Sequence, residues 1–182
     1  MTDIIGQALT VLRQGGVIAY PTEYCFGLGC DPMNEGAVQR ILQIKKRKVE
    51  KGLILIAADV AQVKFFADLD ATPLQAEILA SWPGPVTWTL PVRANTPNWV
   101  CGNHSSIAIR VTAHSLSSQL CQQFGSAIVS TSANRQGHPE FVNAIQVENE
   151  MAAEVDYIVN AEVGGAEQAS QIKDSMTGNI LR

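Results

Sequence analysis

Residues 53–58, Leu-Ile-Leu-Ile-Ala-Ala, form an unbroken apolar run. A strand with one wet face alternates polar and apolar residues, and this one does not. It reads as a strand covered on both faces, which demands further layers on either side of it. The rest of the chain supplies candidates for those layers. Ile5, Ala8, Leu9 and Leu12 mark one helical face, stopped by Gly15-Gly16. Residues 17–20 are a short apolar strand ended by Pro21. A helix is expected over residues 35–46, with Val38, Ile41 and Leu42 inward, and Asp59 is placed to cap a short helix reaching Phe66. Thr72-Pro73-Leu74-Gln75 combines an N-cap, a proline at the first helical position and a glutamine three residues on. The helix it predicts must end before Trp82-Pro83-Gly84-Pro85. Residues 86–90 and 107–111 alternate as strands do, and Leu116, Leu120, Cys121 and Phe124 form a helix face closed by Gly125. Residues 127–130, 156–159 and 179–181 read as further strands. Strands and helices interleave throughout, so the class is α/β, with an open mixed parallel and antiparallel sheet. The stretch from Leu90 to Ile107 carries no helix signal and is free to return antiparallel.

At 182 residues, 46% apolar and 16% charged, the chain fits one globular domain spanning residues 1–182, and no repeat or linker argues for dividing it. Its formal charge of −4 speaks against indiscriminate nucleic-acid binding but leaves room for a local basic patch. No Lys or Arg precedes Arg13 and no long apolar run follows, so neither a secretory signal nor a membrane span is expected. Cys25, Cys30, Cys101 and Cys121 form no CxxC pair, as expected of reduced thiols in a cytoplasmic protein. His104, His114 and His138 stand at no metal-ligand spacing, so no metal site is expected.

Polar residues cluster just after the expected strands, where open α/β sheets bind ligands. Tyr20-Pro21-Thr22-Glu23 leads into Gly27-Leu28-Gly29: either a plain turn, or a hydroxyl beside backbone that a ligand can approach closely. Lys45-Lys46-Arg47-Lys48 with Lys51 places five cations in seven residues, suited to polyphosphate or to a solvated helix end. In Ser105-Ser106-Ile107-Ala108-Ile109-Arg110, the arginine shares a strand face with small Ala108 and needs an anionic partner, from the protein or from a substrate. Ser130-Thr131-Ser132-Ala133-Asn134 is a dense donor and acceptor surface, or a cap rich in side-chain-to-backbone bonds. A P-loop and a G-x-S-x-G elbow are both absent from the sequence.

In this order the stretches YPTEYCFGLGCDP, LQIKKRKVEKGLILIAA, WPGPVTWTLP, SIAIRV and VSTSAN, and more loosely SQIKDSMTGNILR, resemble the YrdC/TsaC family of single-domain threonylcarbamoyl-AMP synthases. The resemblance runs from about Val17 to Arg182 and implies no additional domain. It implies a twisted mixed sheet with flanking helices around a concave cationic pocket. The implied reaction converts L-threonine, bicarbonate and ATP into threonylcarbamoyl-AMP and pyrophosphate, for threonylcarbamoyladenosine at tRNA position 37. The family's KxR…SxN signature falls on Lys45, Arg47, Ser132 and Asn134, implied to hold the nucleotide phosphates and the reacting centre. Ser106 and Arg182 are implied further ATP contacts, and Thr22, Arg110, Ser130 and Ser170 are implied at threonine, with Arg110 on its carboxylate. Mg²⁺ is expected with ATP, held through phosphates and water. Downstream tRNA threonylcarbamoyl-transfer proteins are the implied partners, with direct tRNA contact left open.

The chain departs from the family pattern where Lys48, Thr112 and Ser115 replace usual prolines, which predicts less rigid loops and puts nucleotide affinity in question. Whether Cys25, inside a proposed active-site loop, is reactive stays open. Two other readings compete. One is a double-stranded RNA-binding or ribosome-maturation factor using the basic segment, disfavoured by the acidic total and the lack of stacking aromatics. The other is a carbamoyl-transfer module of hydrogenase-maturation type, whose acylphosphatase and zinc-finger segments have no counterpart here.

Overall fold

The run at residues 53–58 becomes β3 (Ile54–Ala57), an interior strand of the larger of two sheets. The computed structural model describes residues 3–135 and 137–182. β3 is parallel to β5 (Ser106–Val111) and antiparallel to β6 (Ile128–Val129). With β4 (Val86–Pro91) and β9 (Gln171–Asp174) the strand order is β6-β3-β5-β4-β9. Leu55 and Ala57 join one apolar cluster and Ile56 another, all three fully buried. That two-sided burial is why no polar residue interrupts the run.

A smaller sheet has the order β7-β2-β1-β8, from β1 (Ile18–Pro21), β2 (Phe26–Gly29), β7 (Thr131–Ser132) and β8 (Tyr157–Ile158). The mixed α/β class therefore holds, with the strands divided between two sheets. Gly27-Leu28-Gly29 reads as loop in the sequence, yet it is the buried strand β2, paired antiparallel to β1. Gly29 answers to the Tyr20 ring. A Cβ on Gly29 would stand 2.6 Å from that ring's Cε1 and 3.0 Å from the Val129 carbonyl oxygen. Pro21 lies inside β1, opposite Phe26, rather than beyond it; as the last residue its missing N–H costs no ladder bond.

Helices fill the outer layers. Asp3 caps α1 (Ile4–Arg13) by accepting from the Gly6 N–H at 2.8 Å, and α6 (Ser115–Phe124) ends on Gly125 in the left-handed region at φ 86°. Leu9 and Leu12 of α1 and Leu120 and Cys121 of α6 pack with Ile18, Tyr20, Ile56 and Ile128 into one cluster across both sheets. α2 (Glu35–Ile44) is shorter than the sequence predicts, while α3 (Val60–Phe66) carries the expected Asp59 cap. Thr72 does not cap α4 (Gln75–Ala80): its hydroxyl donates instead to the Ser175 carbonyl, and the helix starts three residues later. The connection from β4 to β5 holds a single helical turn, α5 (Asn98–Cys101), and the two strands are antiparallel. Residues 179–181 form only an isolated bridge from Ile180 to Lys173, with Ile180 and Leu181 exposed. Helix α7 (Ala144–Met151) completes the described elements.

The two sheets are stitched where β6 runs into β7. The Val129 N–H donates to Cys30 beyond β2 at 3.0 Å, and the next N–H, of Ser130, donates to Ile54 in β3 at 2.8 Å. Consecutive residues thus bond to different sheets, and Ser130 stands at the seam.

Candidate active site

Strands of both sheets line a cleft of about 640 Å³ beside this seam. All ten residues singled out in the sequence reach it: Thr22, Lys45, Arg47, Ser106, Arg110, Ser130, Ser132, Asn134, Ser170 and Arg182.

One end is cationic. After α2 the chain turns through Lys46 at φ 48°, a left-handed conformation costing a non-glycine residue about 1–2 kcal/mol. The turn is closed by the Lys46 N–H on Gln43 O at 3.0 Å and the Arg47 N–H on Leu42 O at 2.9 Å. It brings Lys45 and Arg47 to the cleft wall together. The Lys45 ammonium then donates to Ser132 O at 2.7 Å, Asn134 O at 2.8 Å and Asn134 Oδ1 at 2.5 Å. Ser132 Oγ donates to the same Oδ1 at 2.9 Å, and Asn134 Nδ2 donates to His138 O at 2.7 Å. The KxR and SxN segments, far apart in sequence, are one bonded unit. Arg47 is held by Nε on Gly52 O at 3.0 Å and Nη2 on Lys51 O at 3.2 Å. Burial, and then the charge of Arg182, depress its pKa below the ordinary arginine value. Arg182 closes this end, its Nη2 reaching Ser170 O at 3.4 Å.

Burial pulls the Lys45 pKa down to about 8, with Glu140 resisting the fall and Arg47 adding to it. If the charged ammonium is required, kcat/KM for ATP decreases as pH rises through about 8. Stability should move the other way. The folded pKa lies below the unfolded value of 10.5, so between those values the unfolded chain binds more protons and stability rises with pH. A pH–rate profile beside thermal melts separates the two trends; activity rising alongside stability across this window would remove Lys45 as a needed cation.

The other end is built on a paired charge. Arg110, on β5, donates from Nη1 to Glu23 Oε1 at 2.6 Å, with the two side chains 8% and 15% exposed. Of the two partners the sequence leaves open for Arg110, the protein carboxylate is present. The same Oε1 accepts from Thr112 Oγ1 at 2.7 Å and from the Ala113 N–H at 3.0 Å. Burial alone would raise the Glu23 carboxyl, but the charge of Arg110 and the bonds from Arg110 and Thr112 outweigh it and hold the pKa at about 2. Thr22 donates its hydroxyl to Cys25 O at 2.8 Å, so toward the cleft it offers lone pairs rather than a proton. Ser170 and Thr87 share a hydroxyl bond of 2.9 Å.

A family model described as "Telomere recombination", for Sua5, YciO and YrdC proteins, matches residues 10–182. The chain belongs to this family. It is 46% identical over 186 residues to a threonylcarbamoyl-AMP synthase of Xanthomonas euvesicatoria, covering 100% of both chains. The namesake of Methylococcus capsulatus is 46% identical over 175 residues, covering 96% of this chain and 94% of that one. The crystal structure of P. abyssi Sua5 complexed with L-threonine superposes with a TM-score of 0.86 at 31% identity, over 93% of this chain and 50% of that one.

The backbone is informative at Lys48, Thr112 and Ser115, where the family resemblance leads one to expect proline. Lys48 has φ −71°, within the range a proline enforces, and Ser115 is the first residue of α6, where proline is favoured. Thr112 is buried and bonded: its hydroxyl ties Glu23 and also accepts from the His114 N–H at 3.2 Å. The Thr112 N–H also donates to Ala57 O at 3.1 Å, a bond that a proline would remove. Glu23 lines the cleft with Thr112 bonded to it, and sequence reasoning assigned a site role to neither, nor to Glu140, Gln168 and Asp174, which line it too. Cys25 is buried, and burial pushes its thiol up to about 12, so it is not a nucleophile at neutral pH.

Proposed function

We propose that this enzyme is a threonylcarbamoyl-AMP synthase acting as a nucleotidyltransferase, with residues 1–182 as its single catalytic domain in the cytoplasm. The observation that carries the reading is one cleft with two unlike ends. The bonded Lys45–Ser132–Asn134 unit and Arg47 suit polyphosphate, and Arg110, in a cleft that Thr22, Ser130 and Ser170 also line, suits an amino-acid carboxylate. Near-complete coverage at 46% identity with synthases of that name supports the same reaction.

The chemistry asks for positioning. The threonine amine adds to bicarbonate with loss of water to give a carbamate. A carbamate oxygen then attacks the α-phosphorus of ATP, forming a P–O bond as the bond to the pyrophosphate leaving group breaks. Anions must be brought together, so fixed cations and donors are the catalysts and no protein nucleophile is needed. Ser106 and Arg182 extend the nucleotide contacts. Among the described residues no group of three His, Cys, Asp or Glu side chains is placed to hold a metal. Of the three cleft carboxylate side chains, Glu23 is tied to Arg110, Asp174 Oδ1 accepts the Met176 and Thr177 N–H groups, and Glu140 acts on the Lys45 charge. Mg²⁺ is read as entering on the ATP phosphates, and no step is assigned to a protein-held ion. The adenylate passes to tRNA threonylcarbamoyl-transfer proteins.

The test is to incubate the purified protein with ATP, Mg²⁺, bicarbonate and labelled threonine, following pyrophosphate and the adenylate. Threonine-dependent pyrophosphate is expected. Protein that binds ATP but releases none overturns the assignment.

A further inference from the structure

We propose that Glu23 makes the amino-acid end of the cleft selective for a zwitterion, with Arg110 taking the carboxylate and Glu23 favouring the adjacent ammonium. This rests on the threonine site proposed at Arg110. The cations Lys45, Arg47, Lys51 and Arg182 line the cleft without forming an ion pair among the described residues, whereas Arg110 is neutralised by a carboxylate 2.6 Å away. A site meant only to attract carboxylates would be stronger without that carboxylate. Burying an ion pair also carries a desolvation penalty. What the pair supplies is discrimination.

Two of the three substrates, bicarbonate and ATP, are anions. An anion approaching Arg110 also meets Glu23, which repels it. An amino acid carries its ammonium on the carbon that bears its carboxylate, so it satisfies both members of the pair. Specificity of this kind needs a repulsive element against the wrong ligand as well as an attractive one for the right ligand. The carboxylate acts on a ligand through its charge rather than by a direct bond. Its Oε1 gathers all three donors, from Arg110, Thr112 and Ala113, while Oε2 is buried and accepts no hydrogen bond among the described residues. Arg110 likewise uses only Nη1 among those residues, leaving the other donors of its guanidinium for a ligand.

Glu23 is also fixed through its backbone. The Ala166 N–H donates to Glu23 O at 2.8 Å and the Gly164 N–H to Thr22 O at 2.9 Å. This strap between β8 and β9 packs so closely that a Cβ on Gly164 would lie 3.0 Å from the Glu23 Cα. The carboxylate is therefore held from both sides and does not swing to accommodate other charges.

The experiment compares binding of L-threonine and of β-hydroxybutyrate, which keeps the carboxylate and hydroxyl but lacks the amine. Calorimetry on the wild type, Glu23→Gln and Glu23→Asp reads both ligands, with ATP binding as the reference. The wild type is expected to prefer threonine by about a hundredfold or more. Glu23→Gln should weaken threonine about tenfold, while β-hydroxybutyrate holds or tightens, and Glu23→Asp should keep the preference. ATP binding stays unchanged in both variants. Equal loss of both ligands in Glu23→Gln would mark a purely structural pair, and a preserved preference would remove Glu23 from recognition. Independently of any variant, a wild type that binds both ligands equally overturns the proposal. Absence of threonine binding to the wild type is a separate outcome that overturns the threonine site itself.

Discussion

Lys45→Ala is expected to lower kcat for threonine-dependent pyrophosphate release by about 10²–10³-fold, with a further loss in the Lys45→Ala/Arg47→Ala double variant. The size follows from what the ammonium holds. Its three bonds, to Ser132 O, Asn134 O and Asn134 Oδ1, fix the turn that presents the Ser132 hydroxyl and the Asn134 amide to the cleft. Truncation removes a cation and releases both of those groups. Because the three act as one unit, Ser132→Ala and Asn134→Ala should each cost less than Lys45→Ala, and their effects should not add to it. Steady-state rates with ATP affinities measured in parallel give the result. Full activity in the double variant would refute the phosphate-end assignment.

Arg110→Ala carries the second large effect, and it has two parts that are separately measurable. Losing a charge-assisted bond to a carboxylate should weaken threonine by about 1.5–3 kcal/mol, roughly ten- to a hundredfold, with ATP binding little changed. The same change strands the Glu23 carboxylate beneath Thr112 and Ala113, a loss of about 3–5 kcal/mol of stability for a buried pair broken on one side. Adding Glu23→Gln to Arg110→Ala removes the stranded charge, so it should recover much of the stability and none of the threonine affinity. If the double variant regains threonine binding along with its fold, the arginine is structural. Chemical denaturation and calorimetry on the single and double variants decide between these outcomes.

The sequence made the cleft legible through an arginine in an apolar strand and four lysines or arginines in succession, although each also carried a bland reading, a structural carboxylate or a solvated helix end. It predicted which residues converge better than how. Lys45 and Arg47 read as bare phosphate ligands, but their bonds to Asn134 and to Gly52 depend on approaches that no local pattern encodes. Glu23 escaped notice for the same reason: its partner lies 87 residues away, and a glutamate after Pro-Thr looks like a solvated turn residue. Local rules also lost to tertiary ones at β2 and Thr72. Gly29 signals a loop until the Tyr20 ring demands the space, and the Thr72 hydroxyl is worth more to the buried Ser175 carbonyl than to its own helix. Where one element satisfied its own pattern, as at α1, α3, β3 and α6, the sequence was sufficient.

The three bonds on Lys45 also bear on self-damage. The proposed product joins a carbamoyl carbon to a phosphate, a mixed anhydride that acylates free amines. A lysine at the proposed reacting centre is an obvious victim, and one whose pKa is pulled down to about 8 more so than most. Three oxygen acceptors disfavour that reaction, because they call for three N–H donors and leave no direction in which a lone pair could point out of the network. On the proposed reaction, the network that shapes the phosphate end would thereby also shield its lysine, so that an activated carbamoyl group could stand beside an amine without consuming it.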